Sequence, residues 1–249
     1  RSNFQPSLPA KREGYFTPQN HQSLLGTSTR QAQLKKIWQS SLLSKSAYGD
    51  FCLEPLQKLA ERYQNLPAAR IADWNNVGGL LDLTLQQIVT TLQLSKGMVF
   101  PANAAPEDQA AQSSYWNCVV FWLALYWHVP ELLYIEAELE EGNVWQPISN
   151  APGMQFRFKV DRQTEAPAKD SVIRLAFSVS MLPKSALNWL EKQPNARDCL
   201  FLELAGINSA EKQIHLLMNK AKRKLLSCEL NDVKNSAIMN ANLYPKVVS

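Results

Sequence analysis

The stretch Cys118 to Val129 (CVVFWLALYWHV) is about 12 residues of apolar character, interrupted only by the half-polar Tyr126, Trp127 and His128. It constrains the fold more than any other segment. A bilayer span needs roughly 18 to 20 apolar residues, so this run reads as a buried helix rather than a membrane anchor. Its predicted limits are 114–128, stopping before Pro130. The chain of 249 residues, 45% of them hydrophobic, can enclose such a helix in one large domain or two small ones. With 19% charged residues it falls outside the disordered class.

Residues 1–22 hold Pro6, Pro9 and Pro18 among polar residues, so a flexible N-terminal arm is expected over 1–26. Thr27, Ser28 and Thr29 offer N-cap hydroxyls to a helix with Leu34, Ile37 and Trp38 on one face. Phe51, Leu56, Leu59 and Tyr63 recur at helical spacing over 50–65, and Pro67 ends that helix. Gly78-Gly79 marks a tight approach, after which Leu80, Leu81, Leu85, Ile88 and Leu92 predict an amphipathic helix. Residues 97–113 (GMVFPANAAPEDQAAQS) read as a Pro/Ala loop and a mobile insertion.

Beyond Pro130 the apolar period changes to two. Tyr134 to Leu139 and Gln155 to Val160 alternate, with a turn at Gly142-Asn143, which predicts a small β-hairpin over about 134–160. Helices are expected over about 171–181, 184–192 and 195–205. Asn208 then opens the last long helix, with Glu211 placed for a capping box and Ile214, Leu217, Met218, Ala221, Leu225 and Cys228 as its apolar stripe. The expected architecture is mainly α, a single helical domain over 27–230 with a hairpin insertion and a C-terminal tail over 231–249.

Charge is unevenly placed. Residues 1–36 carry +5, residues 37–208 carry −5 and residues 209–249 carry +4, for a net +4. Basic ends around an acidic middle suit an oligomer with a polyanion-binding face, since phosphate attraction follows local rather than net charge. Lys220, Lys222, Arg223 and Lys224 form the densest patch; Arg157, Lys159 and Arg162, then Arg30, Lys35 and Lys36, support it. No helix-turn-helix signature accompanies them. Cys52, Cys118, Cys199 and Cys228 lie far apart in apolar stretches, without the spacing of a zinc or redox motif, and read as buried free thiols. The polar start carries no apolar signal core, so a cytoplasmic protein is expected. His21, His128 and His215 make no recognisable triad, and Gly78-Gly79 lacks the further glycines and the lysine of a phosphate loop.

Several phrases, in their shared order, resemble the HD-type domain of TraI-like relaxases of the MobH class, found on integrating conjugative elements. They are Arg30 to Trp38, Gly78-Gly79-Leu80-Leu81, Leu125-Tyr126-Trp127-His128, Trp145-Gln146-Pro147, and Leu182-Pro183 followed by Leu187, Trp189 and Leu190. The resemblance covers roughly Gly14 to Leu230 and implies an HD-like helical bundle built around a metal site. It also implies where the metal ligands would fall: among Ala72, Asp73, Trp74, Asn75 and Asn76, at Leu83, at the pair Trp127-His128, and at Lys222. Those positions offer one carboxylate and one imidazole, with a lysine among them. A divalent metal needs three or more converging N or O ligands, so no metal, no cofactor and no metallo-phosphohydrolase activity are expected.

The expected function is therefore a non-enzymatic DNA-binding transcriptional regulator on a catalytically dead HD-type scaffold, with promoter double-stranded DNA as its partner. In size and basic character the chain is also similar to oligomeric activators of type VI secretion genes, which implies a ring-like homohexamer, and the apolar tail Leu243 to Val248 is expected to dock on a neighbouring subunit. The alternative from a different class is an accessory DNA-processing protein, or a metal-dependent nuclease relic, of a conjugative element.

Overall fold

The structure, a computed structural model, describes residues 14–161 and 166–225. Arg162, Cys228, the tail over 231–249 and the start of the arm, residues 1–13, lie outside the described residues. The chain is mainly helical with one small antiparallel sheet.

Two helices form the centre. α5 (Gly79–Ser95) packs along α6 (Pro106–Tyr126). From Trp116 to Tyr126, α6 is buried at every position except Asn117, as its unbroken apolar run requires. α5 is buried on more sides than an amphipathic helix would be, because α2 (Ser28–Gln39) and, after the short α3 (Lys45–Tyr48), α4 (Glu54–Tyr63) also lie on it. Two of its buried hydroxyls are satisfied within the helix: Thr84 Oγ1 donates to the Leu80 carbonyl (2.8 Å) and Thr91 Oγ1 to that of Gln87 (2.7 Å). Thr27 caps α2 by accepting from the Arg30 amide, the cap expected from its hydroxyl.

Gly78-Gly79 is the tightest corner. Gly78 has φ +78°, and a Cβ on Gly79 would sit 1.9 Å from the Trp74 carbonyl oxygen. The approach holds the 65–78 segment against the start of α5, with Gly78 N donating to the Asn65 carbonyl (2.8 Å).

Three expectations need correction. The loop over 97–113 ends at 105, since Pro106 sits in the first turn of α6, with Glu107 and Asp108 placed to complement the helix dipole. Residues 14–26 are packed rather than loose: α1 (His21–Leu25) buries Leu24 and Leu25, and Phe16 bridges to Phe156 through paired backbone hydrogen bonds. The last helix, α10, is described over 212–225 and begins beyond the Asn208 start. Glu211 accepts from the Gln213 amide (3.3 Å) and so caps α10 itself, while Ser209 donates to the buried Glu203 (2.9 Å).

The hairpin is one part of a three-stranded sheet in the order β2-β1-β3, from β1 (Ile135–Leu139), β2 (Val144–Trp145) and β3 (Phe156–Val160). β1 is antiparallel to both neighbours, with Glu136 opposite Lys159 and Glu138 opposite Arg157. α7 (Pro167–Met181), α8 (Lys184–Leu190) and α9 (Pro194–Leu204) follow, and α10 closes the core with Ile214, Leu217, Met218 and Ala221 buried. Cys52, Cys118 and Cys199 are free and buried, and no described helix is long and apolar enough to cross a membrane.

Candidate functional site

A cavity of about 350 Å³ opens where α5, the end of α6, α7 and α10 meet the segment before Gly78. Its lining includes Trp74, Leu83, Trp127, His128 and Lys222. These residues come from four separate stretches of sequence, and each stands where the family resemblance places a metal ligand. The fold brings the positions together; the side chains are of the wrong kind.

His128 is the only imidazole of the lining. Burial, followed by the nearby Arg174 and Arg70 charges, pushes its pKa down to about 3, so the ring is neutral at ordinary pH. Its Nε2 lies 2.9 Å from Gln87 Oε1, so the neutral ring donates there and keeps Nδ1 as an acceptor. Glu131, 4% exposed, is the lining's carboxylate, and Arg70 holds it with its backbone amide (2.8 Å) and guanidinium (2.9 Å). The same guanidinium reaches Asp170 Oδ2 (2.7 Å) and lies 4.0 Å over the Tyr134 ring. Arg174 donates from Nε to the Trp127 carbonyl (3.1 Å) and stacks 4.3 Å above the Trp127 ring.

Two guanidiniums and an ammonium around one occupied carboxylate do not fit a divalent cation. Asp73, the carboxylate offered by the 72–76 stretch, is exposed and does not line the cavity. Among the described residues no three His, Cys, Asp or Glu side chains gather to hold a metal. His21 pairs with Glu61 (2.9 Å), and His215 lies 3.8 Å from Glu203, so neither histidine meets His128.

The basic residues divide by partnership. Lys220, Lys222, Arg223 and Lys224 are exposed on α10: Lys220 and Arg223 stand away from its buried stripe, while Lys222 lies at the flank and borders the cavity. Lys35 and Lys36 are exposed on α2. Arg157 and Lys159 project from β3, but the strand register sets a carboxylate beside each. Lys159 Nζ is 2.7 Å from Glu136 Oε2, and Arg157 pairs with Glu138 and lies 5.0 Å over the Tyr15 ring. Arg30 is interior in function: Nε donates to Asp82 (2.7 Å), Nη1 to the Leu24 carbonyl (2.5 Å) and Nη2 to that of Gly78 (3.3 Å). It ties α2 to the Gly-Gly corner and has little left to offer a phosphate.

Sequence reasoning missed Arg70 and Arg174, the two cations that set the character of the cavity. Arg174 had a signal. It interrupts the apolar run Val172 to Phe177, and a charge there needs a local partner or a cavity.

The family model TraI_2, described as "Putative helicase", matches residues 14–246. No curated protein matches the chain.

Proposed function

The chain belongs to the TraI_2 family, and we propose that it acts there as a non-enzymatic DNA-binding regulator of transcription. The observation that carries this reading is the outer face of α10. Lys220 and Arg223 stand exposed three residues apart on one helix face, with Lys222 exposed at its flank, and no carboxylate is paired with these three among the described residues. Such a face attracts phosphates regardless of base sequence and releases counterions on binding. The charge-inverted cavity supports the absence of metal-dependent hydrolysis, because the positions that would hold the metal now hold Trp127, His128 and Lys222.

On this reading the partner is promoter double-stranded DNA, the protein acts as a homo-oligomer larger than a dimer, and a hexameric activator of type VI secretion genes is the specific form proposed. The tail that would join subunits lies beyond the described residues.

A mobility-shift assay on DNA upstream of neighbouring operons, run at two salt concentrations, tests the reading. Binding that weakens steeply with salt supports it. Cleavage of the same DNA that depends on added Mg²⁺ or Mn²⁺ would favour the accessory nuclease instead. Light scattering that finds only monomer at micromolar concentration would remove the oligomer.

A further inference from the structure

We propose that the cavity beneath α10 binds a small phosphate-bearing aromatic anion, of the nucleoside monophosphate class. This goes beyond DNA binding, because a duplex cannot enter a recess of about 350 Å³.

The charge balance of the lining sets the sign of the ligand. Arg70 is fully engaged by Glu131 and Asp170. Arg174 is not. Its hydrogen-bond acceptor is the Trp127 carbonyl at Nε; Asp170, already bonded to Arg70, acts on it through charge, and no acceptor among the described residues meets its terminal nitrogens. Burial pushes its pKa down, although a guanidinium remains protonated throughout the accessible pH range. A half-buried, incompletely paired guanidinium is costly on its own, and a phosphate or carboxylate can pair with it through two parallel hydrogen bonds. Lys222 adds a second cation without a carboxylate partner among the described residues. His128 contributes no charge that would alter this balance near neutral pH.

The walls set the rest of the ligand. Trp74 and Trp127 are both half-buried in the lining, and Ile71, Leu83 and Pro130 extend the apolar surface. Arg174 already covers one face of Trp127, which leaves Trp74 as the platform for a flat ring. Inorganic phosphate would answer the cations and leave these walls wet. A nucleoside would do the reverse. The cavity lies within the size range of small-molecule sites, which combine apolar walls with a few fixed polar groups in this way.

The test is calorimetric titration of the full chain, without DNA, with AMP, GMP, CMP and UMP, and with inorganic phosphate and adenosine as single-feature probes. At least one nucleotide should bind one per chain, about tenfold or more tighter than either single-feature probe. Arg174→Met should weaken that binding by about tenfold and Lys222→Ala by roughly threefold. Lys58→Ala, an exposed cation on α4, should leave it unchanged. Circular dichroism checks each variant, and Lys222→Glu carries the test if Arg174→Met does not fold. Absence of binding by all four nucleotides at millimolar concentration would overturn the proposal, as would equal affinity in the parent, Lys222→Glu and folded Arg174→Met proteins. Because no DNA is present, neither result depends on the role of α10 in DNA binding.

Discussion

Strand β3 and helix α10 both carry basic side chains into solvent, yet the strand sets a carboxylate opposite each of its two, while Lys220 and Arg223 on the helix have none among the described residues. On β3 the antiparallel register places Glu138 across from Arg157 and Glu136 across from Lys159, so the cations face their partners on the same side of the sheet. On α10 the neighbours at i+3 and i+4 are further cations or neutral residues: Lys220 is followed by Arg223 and Lys224, and Asn219 by Lys222 and Arg223. The difference teaches that availability to an external phosphate depends on what the backbone places within reach, rather than on how many lysines and arginines a segment holds. Arg70 and Arg30 extend the comparison inward, since both act as fixed cross-links between elements.

The contrast can be broken first at Arg70. Arg70→Ala would leave Glu131 buried without its partner and release Asp170, and should lower stability by about 3–5 kcal/mol in urea unfolding. A loss below about 1 kcal/mol would mean that the interior cations are no more structural than the exposed ones.

Acid comes next. The folded-state pKa of His128 is depressed to about 3 from an ordinary 6.5, so its contribution is fully present above pH 6.5 and is lost as pH falls below it. Each pH unit between 6.5 and 3 should remove at most about 1.4 kcal/mol, less the discount for a half-buried ring. His128→Gln should flatten this limb of the stability profile. A parallel profile in both proteins would mean the ring titrates normally and would weaken the account of the cavity.

The smallest of these effects belongs to β3. Arg157→Ala with Lys159→Ala should barely move the unfolding midpoint, because both pairs are solvent-exposed. It should also leave the salt dependence of DNA binding unchanged. A flatter dependence in this variant would move the DNA face to the sheet.

Much of the scaffold was legible because its signals were periodic or covalent. The apolar run marked α6, the Thr27 hydroxyl marked the start of α2, and Gly78-Gly79 marked a corner that no Cβ could enter. The ligand-equivalent positions could be named from the family resemblance, and Trp74, Leu83, Trp127, His128 and Lys222 do converge. What escaped was decided by tertiary contact. Residues 106–113 looked like loop because alanine and glutamine show no face until a helix packs, and the arm looked loose because the partner of Phe16 lies in β3. The cavity cations escaped because the companions of Arg70, Glu131 and Asp170, lie far along the chain.

The central claim, that α10 presents the phosphate-binding face, is tested most directly by the salt dependence of DNA affinity for Lys220→Ala with Arg223→Ala. These two side chains are three residues apart on one helix face, and neither lines the cavity. The double variant should bind more weakly to every sequence tried, and the slope of log affinity against log salt should fall by about one to two units. Its thermal stability should match the parent's, since both positions are exposed. Parental affinity and an unchanged slope in a folded double variant would contradict the claim and leave the face of α10 as solvated surface.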